Sequence, residues 1–270
     1  MISIQPFDFN SDITPYEFRY ILNADDSVSH ADLKNLWNTK LLGSKDRYLQ
    51  WVENWDGWKL HRYDIINHLI QKYNYVNYLE IGVNDGSCFK EIKAEHKDGV
   101  DPNPVEMGID FVNYKVTSDE FFGFIDGHDI KYDIIFVDGL HYDFQVYRDI
   151  VNSLNHLSEN GTILCHDMNP LFEVTQLKRA WQDVGQWNGD CWKAWAKLRT
   201  EPRFKNLSMN VVNTDHGVGI IRKGSQKLFD VKDYSELNVY DGSATYELLD
   251  NNRDELLNLI SIEEFYTRYD

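Results

Sequence analysis

The sequence predicts an α/β fold built on a mostly parallel sheet, and three observations predict it. Between residues 74 and 224, short apolar runs alternate with longer segments of helical period, the pattern of βαβ units. The run Ile134-Ile135-Phe136-Val137 is continuously apolar, as a strand buried on both faces of a parallel sheet must be. At the end of this region MNVVNTD and GVGIIRKG (209–224) read as a hairpin around Asp215-His216-Gly217, which adds an antiparallel pair.

The elements follow in order. Residues 1–73 lack strand alternation and are rich in Asp, Asn and Trp, so they form an N-terminal helical extension or lid. Its last part, 49–73, turns helical, with Tyr63, Ile66, Leu69 and Ile70 at helical spacing. YVNYLEIGV (75–83) is a strand and GSCFKEIKAE (86–95) a helix. KDGVDPNP (97–104) holds a short strand ending at Asp101, and YKVTSDEFF (114–122) a strand and then a turn. KYDIIFVDG (131–139) is a strongly apolar strand. Residues 142–161 are helical, with Val146, Ile150 and Leu154 on one face and Asn160-Gly161 as the stop. GTILCHD (161–167) is the next strand, and residues 168–205 form an insertion before the hairpin. Residues 225–270 make an acidic tail whose stretch 248–265 has a helical period.

Composition bounds the function. The chain has 270 residues, with 27 Lys and Arg against 44 Asp and Glu, a formal charge of −17. That balance excludes nucleic acid and an anionic membrane as main partners, since both need a basic footprint. It leaves open a nucleotide-like ligand in a local pocket. With 14% aromatics, the chain has ample material for a core and is not wholly disordered. Cys88, Cys165 and Cys191 form no pairable framework and no CxxC, which points to reduced thiols and a cytoplasmic setting. MISIQPFDFNSD carries neither the basic nor the apolar region of a signal peptide, and no apolar run approaches the ~20 residues that span a membrane. A homo-oligomer is compatible with all of this.

In an open parallel sheet, ligands bind beyond the carboxyl ends of the strands. The first strand runs into Glu80-Ile81-Gly82-Val83-Asn84-Asp85-Gly86-Ser87. Two glycines permit a tight turn and a close backbone approach. The spacing is neither the GxGxxG dinucleotide fingerprint nor a P-loop. Asp101 ends the second strand 21 positions after Glu80, the offset at which a carboxylate accepts hydrogen bonds from ribose hydroxyls. An Asp before Pro102 is also an ordinary turn.

The ordered set YLEIGVNDGS, GVDPNP, YDIIFVDGLHYDFQVYRDI and GTILCHD resembles the class I S-adenosylmethionine-dependent methyltransferases, over about residues 75–222. Within them it is similar to the metal-dependent sugar and macrolide-sugar O-methyltransferases. The resemblance implies a Rossmann-like, mostly parallel seven-stranded sheet with helices on both faces, its last two strands an antiparallel hairpin. It implies S-adenosyl-L-methionine as cofactor. Glu80, Gly82, Asp85, Gly86 and Ser87 would lie beside its methionine part, Asp101 at its ribose, Ser118 and Asp119 near its adenine, and Asp138 facing it.

A second constellation stands at the next strand ends. One strand runs into Asp138-Gly139-Leu140-His141, the following one into His166-Asp167. Adjacent parallel strands put Asp138 and Asp167 side by side, a hard oxygen pair suited to Mg²⁺ or Mn²⁺, with His166 as a third ligand. A cation there would hold a vicinal diol and lower the pKa of the reacting hydroxyl. His141, just beyond the strand, is poised near pH 7 to take a hydroxyl proton. The sugar methyltransferases that the chain resembles carry the same Asp-x-x-His, with an acidic pair at the fifth strand end; this chain has His166 where one acid is expected. Each residue also has a plain explanation: Asp138 as a helix cap, His141 as a loop residue, His166 as a satisfied core histidine.

The insertion contains Trp181, Trp187, Trp192 and Trp195. Trp181 and Trp195 read as buried helix residues. Trp187-Asn188-Gly189-Asp190 reads as a loop, followed by a helix with Trp192 and Lys193. Trp187, Asp190, Trp192 and Lys193 are the candidate substrate residues, because aromatic faces and polar groups suit a sugar ring. Lys193 and Arg199 would meet a diphosphate if the acceptor is a nucleotide sugar. Trp55, Trp58 and Lys59 are candidates for a lid, with plain core the simpler role for the two tryptophans.

The sequence therefore points to methyl transfer to a hydroxyl of a sugar or nucleotide-linked sugar, with His141 and Asp138 catalytic. The alternatives are a methyltransferase acting on a phenol, an amine or another small metabolite; a NAD-dependent oxidoreductase on the same architecture; and a binding or scaffold protein that kept the fold without the chemistry.

Overall fold

A computed structural model describes residues 60–171, 173–176, 187–230 and 244–270. The expectations for Trp55, Trp58 and Lys59 in the N-terminal extension, and for Trp181, lie outside the described residues. The main elements are α1 (Arg62–Tyr73), β1 (Asn77–Ile81), β2 (His96–Val100), α2 (Ser118–Ile125), β3 (Tyr132–Val137), α3 (Asp143–Asn155), β4 (Leu157–Cys165), α4 (Cys191–Thr200), β5 (Leu207–Val212), β6 (Val218–Lys223), α5 (Tyr246–Leu257), β7 (Leu259–Ile260) and α6 (Ile262–Tyr269).

The strands form one seven-stranded sheet in the order β2-β1-β3-β4-β6-β5-β7. β1 lies parallel to both β2 and β3, and β3 parallel to β4. β6 runs antiparallel to β4 and to β5, and β7 lies parallel to β5. This is the Rossmann-like arrangement of the class I methyltransferase sheet, with the β5–β6 hairpin where the sequence places it. Side chains alternate across the sheet. Leu79, Ile81, Ile135, Val137, Ile163 and Cys165 join a core beneath α2 to α5. Tyr78, Ile134, Phe136, Leu164 and Ile220 join a second core with α1 and α6. Burying each large side chain contributes about 1.5–3 kcal/mol. In α1 the expected residues Ile66, Leu69 and Ile70 are buried.

Four elements differ from expectation. Residues 114–122 hold no third strand. Tyr114 makes a single parallel bridge to Val100, and Thr117 then opens α2. Thr117 Oγ1 accepts from Glu120 N at 3.2 Å while Thr117 N donates to Glu120 Oε2 at 2.9 Å, and this reciprocal cap outweighs the β tendency of Tyr-Lys-Val-Thr. The helix expected over 86–95 shrinks to one 3₁₀ turn, Phe89–Glu91. Its carbonyls are taken elsewhere: Lys97 Nζ donates to Phe89 O and Ile92 O, and Asn67 Nδ2 to Glu91 O. The helix expected to stop at Asn160-Gly161 ends at Asn155, because His156 O already accepts from Tyr132 N at 2.9 Å and the chain enters β4. The C-terminal segment is more than helical, since it also contributes β7 at the sheet edge.

Candidate active site

The loop after β1 and the loop after β3 are pressed together. Gly82 has φ 90°, and a Cβ there would lie 2.1 Å from Asp138 O. Glycine is thus required both for the backbone conformation and for the close approach. Gly86, at φ 72°, lies under the ring of Phe111. Asp101 Oδ2 accepts from Asn84 N and Oδ1 from Asn103 N, both at 2.8 Å, so this carboxylate ties the glycine loop to the end of β2. Each oxygen keeps a further lone pair, an acceptor set that fits ribose hydroxyls. Asp85 Oδ1 accepts from Ser87 N at 2.9 Å. Burial opposes ionisation of Asp85, but the hydrogen bonds from Ser87 outweigh it and hold the pKa below the usual carboxylate range. Ser118 and Asp119 sit at the start of α2, where Gln145 Nε2 donates to Ser118 Oγ at 3.1 Å and Asp119 Oδ1 at 3.2 Å. Glu80 is buried and accepts a hydrogen bond from Tyr78 Oη. Burial pushes its pKa up to about 8, against the lowering effect of Tyr78.

The structure brings Asp138, His141, His166 and Asp167 into one cluster at the carboxyl ends of β3 and β4. His141 Nε2 lies 3.4 Å from Asp138 Oδ1, and Nδ1 lies 3.3 Å from Asp167 Oδ2. His166 Nδ1 lies 3.3 Å from Asp138 Oδ1 and 2.9 Å from Asp167 Oδ2. Asp167 has a left-handed backbone, φ 64°, and its Oδ1 accepts from Asn188 Nδ2 at 3.0 Å. Burial disfavours charge at Asp138, but His166, His141 and Arg62 outweigh it and depress its pKa strongly. Burial also disfavours charge on both histidines. The carboxylates of Asp167 and Asp138 outweigh it and raise both pKa values, that of His166 well above the ordinary one.

Sequence reasoning missed three members of this cluster. Arg62, in the first turn of α1, places Nη1 2.8 Å from His166 Nε2 and 3.3 Å from Nδ1, with its Nε 4.0 Å from Asp138 Oδ2. Asp215 Oδ1 lies 3.3 Å from His166 Nε2. The His216 ring stands 5.8 Å from that of His166. Asp215-His216 read only as a turn, and nothing local marks Arg62, which lies 104 positions from His166. The result interleaves three aspartates with Arg62, His141 and His166.

A divalent cation fits part of this arrangement. Asp138, His141 and Asp167 each offer a donor atom, all within 4.8 Å of one another. His141 Nδ1 is buried with no hydrogen-bond partner, its 3.3 Å approach to Asp167 being a charge contact without hydrogen-bond alignment. The two carboxylate oxygens suit Mg²⁺ or Mn²⁺, whereas the unpartnered imidazole nitrogen suits a softer ion better than Mg²⁺. Arg62 stands against both ring nitrogens of His166, so the geometry favours His141 over His166 as the nitrogen donor.

The substrate candidates separate. The Trp187 ring stacks on His141 with centroids 4.8 Å apart and planes inclined by 17°. Gly189, at φ 60°, lets the loop lie against the His141 carbonyl. Asp190 is buried, with Oδ1 accepting from Asp143 N at 2.9 Å. Lys193 Nζ lies 3.8 Å from Asp190 Oδ2. Trp192 is fully buried and donates from Nε1 to Gln176 Oε1 at 2.7 Å, which makes it a core residue rather than a platform for a sugar. Trp195 is core, as expected. Arg199 is also buried, its guanidinium spent on Leu256 O, Glu255 O and Gln226 Oε1, so it does not meet a diphosphate. The three cysteines are free and buried. Among the described residues no helix is long and apolar enough to cross a membrane.

No curated protein sequence matches the chain. Among solved structures, a Staphylococcus aureus protein assigned as a caffeoyl-CoA O-methyltransferase is 19% identical, with a TM-score of 0.44 over 70% of this chain and 100% of the other. A Bacillus cereus O-methyltransferase in complex with SAH is 14% identical, with a TM-score of 0.39 over 68% and 91%. MycE, a methyltransferase of the mycinamycin biosynthetic pathway in complex with Mg and SAH, is 16% identical, with a TM-score of 0.40 over 69% and 55%. A family model described as a methyltransferase domain matches residues 79–168. The stretch that holds β1 to β4, the glycine loop and the Asp138, His141, His166 and Asp167 cluster is thus similar to a methyltransferase domain.

Proposed function

We propose that the protein is an S-adenosylmethionine-dependent O-methyltransferase whose acceptor is a hydroxyl of a small molecule, a sugar or nucleotide-linked sugar. The observation that carries this reading is the contact between the two loops. The Gly82 loop, with Asp101 behind it, abuts the Asp138–His141 loop, so a cofactor on the first lies beside the acid–histidine cluster of the second. Asp101 holds the ribose, and Ser118 and Asp119 stand near the adenine. S-adenosylmethionine supplies the methyl group.

His141 takes the acceptor hydroxyl proton at a ring nitrogen. Trp187 fixes the plane of the imidazole by stacking. Asp138 and Asp167, at 3.4 and 3.3 Å, stabilise the imidazolium once the proton has arrived. A divalent cation, where bound, supplies positive charge that lowers the pKa of an acceptor hydroxyl, and Asp138 and Asp167 are the residues that would hold it. Alignment of acceptor oxygen with the methyl carbon provides most of the rate. Trp187 and Lys193 border the acceptor.

The test is calorimetric titration with S-adenosylmethionine, S-adenosylhomocysteine and NAD, each with Mg²⁺ and with EDTA, followed by a panel of nucleotide sugars, phenols and amines. Micromolar binding of the adenosyl compounds without NAD supports the reading. Binding of NAD alone replaces it with a dehydrogenase, and methylation confined to phenols or amines overturns the sugar acceptor.

A further inference from the structure

We propose that Arg253, on helix α5, is a positioning residue for Asp167; the inference rests on the methyltransferase reading of the site. Asp167 holds a left-handed backbone conformation that side-chain-bearing residues keep only when their surroundings enforce it. The enforcement comes from two sides. On one side the β5–β6 turn binds the chain just after Asp167, with Met168 N donating to Gly217 O at 3.0 Å and Asn169 N to His216 O at 2.9 Å. On the other side stands Arg253. Its Nη1 donates to Asn169 Oδ1 at 2.5 Å and to Pro170 O at 2.8 Å. Its Nη2 donates to Tyr246 Oη at 3.0 Å and to Asp250 Oδ1 at 3.2 Å.

The helix is shaped for this contact. Asn252, just before Arg253, leaves helical geometry at φ −130° and ψ 19°, and its Nδ2 donates to Leu248 O at 2.9 Å. Asn169 passes the constraint on, because its Nδ2 donates to Asn213 Oδ1 at 3.0 Å. One planar guanidinium thus grips two acceptors of the Asp167–Pro170 loop while anchored to its own helix through two more. A lysine at this position keeps the charge but cannot reproduce the fork.

The experiment compares Arg253→Lys and Arg253→Ala with wild type, with Asp250→Asn as a control that keeps the Arg253–Asn169 bond and an acceptor for Nη2. The imidazole NMR signals of His141 and His166 report on Asp167 directly, since Asp167 Oδ2 lies 3.3 and 2.9 Å from their nitrogens. Arg253→Lys should shift both signals and lower kcat about tenfold or more, with S-adenosylhomocysteine affinity unchanged. Asp250→Asn should leave the signals in place. A folded Arg253→Lys protein with wild-type imidazole signals and wild-type kcat overturns the proposal, and that variant decides the matter if Arg253→Ala does not fold. Wild-type protein that fails to bind S-adenosylhomocysteine removes the methyltransferase reading instead, while the imidazole shifts still decide whether Arg253 positions Asp167.

Discussion

Arg62 and Asp215, 153 positions apart, meet through both backbone and side chain. The Arg62 amide donates to Asp215 Oδ2 at 2.8 Å, and Nη1 approaches Oδ1 at 3.5 Å. The pair fastens the start of α1 to the β5–β6 turn, directly over His166. Burial works against the Arg62 charge, but Asp138 and Asp215 outweigh it and raise its pKa, while the pKa of Asp215 is held far below the usual range. Arg62→Ala removes one cationic partner of Asp138 and of Asp215, leaving them with the histidines alone. It should cost about 2–3 kcal/mol in urea unfolding, less than a fully buried pair because a quarter of the Arg62 side chain reaches water. Adding Asp215→Asn to Arg62→Ala should restore part of that loss, and strictly additive losses would mean that the two residues are not coupled.

His141→Ala and His141→Gln should lower kcat by about a hundredfold to ten-thousandfold, the range of a lost general base. S-adenosylhomocysteine binding, measured by calorimetry, should stay near wild type, because in the proposed mechanism His141 meets the acceptor and not the cofactor. Turnover within a few-fold of wild type would remove the base assignment.

Mn²⁺ titration of the protein should be weakened at least about tenfold by Asp138→Asn and by Asp167→Asn. The same titration separates the two roles of His141. Retained Mn²⁺ affinity in His141→Ala with loss of methyl transfer identifies a base. Loss of both identifies a cation ligand, as the convergence of its nitrogen with the two aspartates allows.

Glu80 predicts a pH dependence of stability. Its pKa is raised by burial from 4.5 to about 8 in the fold. The native state therefore keeps a proton that the unfolded chain releases, so stability from this group is complete below pH 4.5 and is lost as pH rises toward about 8. Glu80→Gln removes the ionisation and keeps an acceptor for Tyr78. The difference in unfolding free energy between variant and wild type should change by about 3–5 kcal/mol across that window, and parallel profiles would refute the raised pKa.

Much of this was legible in the sequence because it depends on local pattern. The apolar run Ile134–Val137 marks β3, and the residues just beyond a parallel strand must lie at its ligand end. Asp138, His141, His166 and Asp167 accordingly read as neighbours from the sequence alone. What was not legible depends on competition or on long reach. The 3₁₀ turn at Phe89 replaces a helix because Lys97 and Asn67 take its carbonyls, which no helical period reveals. Trp192 and Lys193 share one short segment, yet the packing of α4 buries the first completely while Lys193 stands beside Asp190. Arg62 enters the cluster through the docking of a whole helix, and Asp215 looks like any turn aspartate.

The last strand has a consequence for handling the protein. β7 is only two residues long, yet it covers the outer side of β5, pairing Val211 with Leu259 and Val212 with Ile260. Chain cut before residue 259 would bare the backbone amides and carbonyls of that edge, a template for sheet extension between molecules. Shortened versions that keep every catalytic candidate should therefore self-associate, and a soluble minimal unit must run past Ile260.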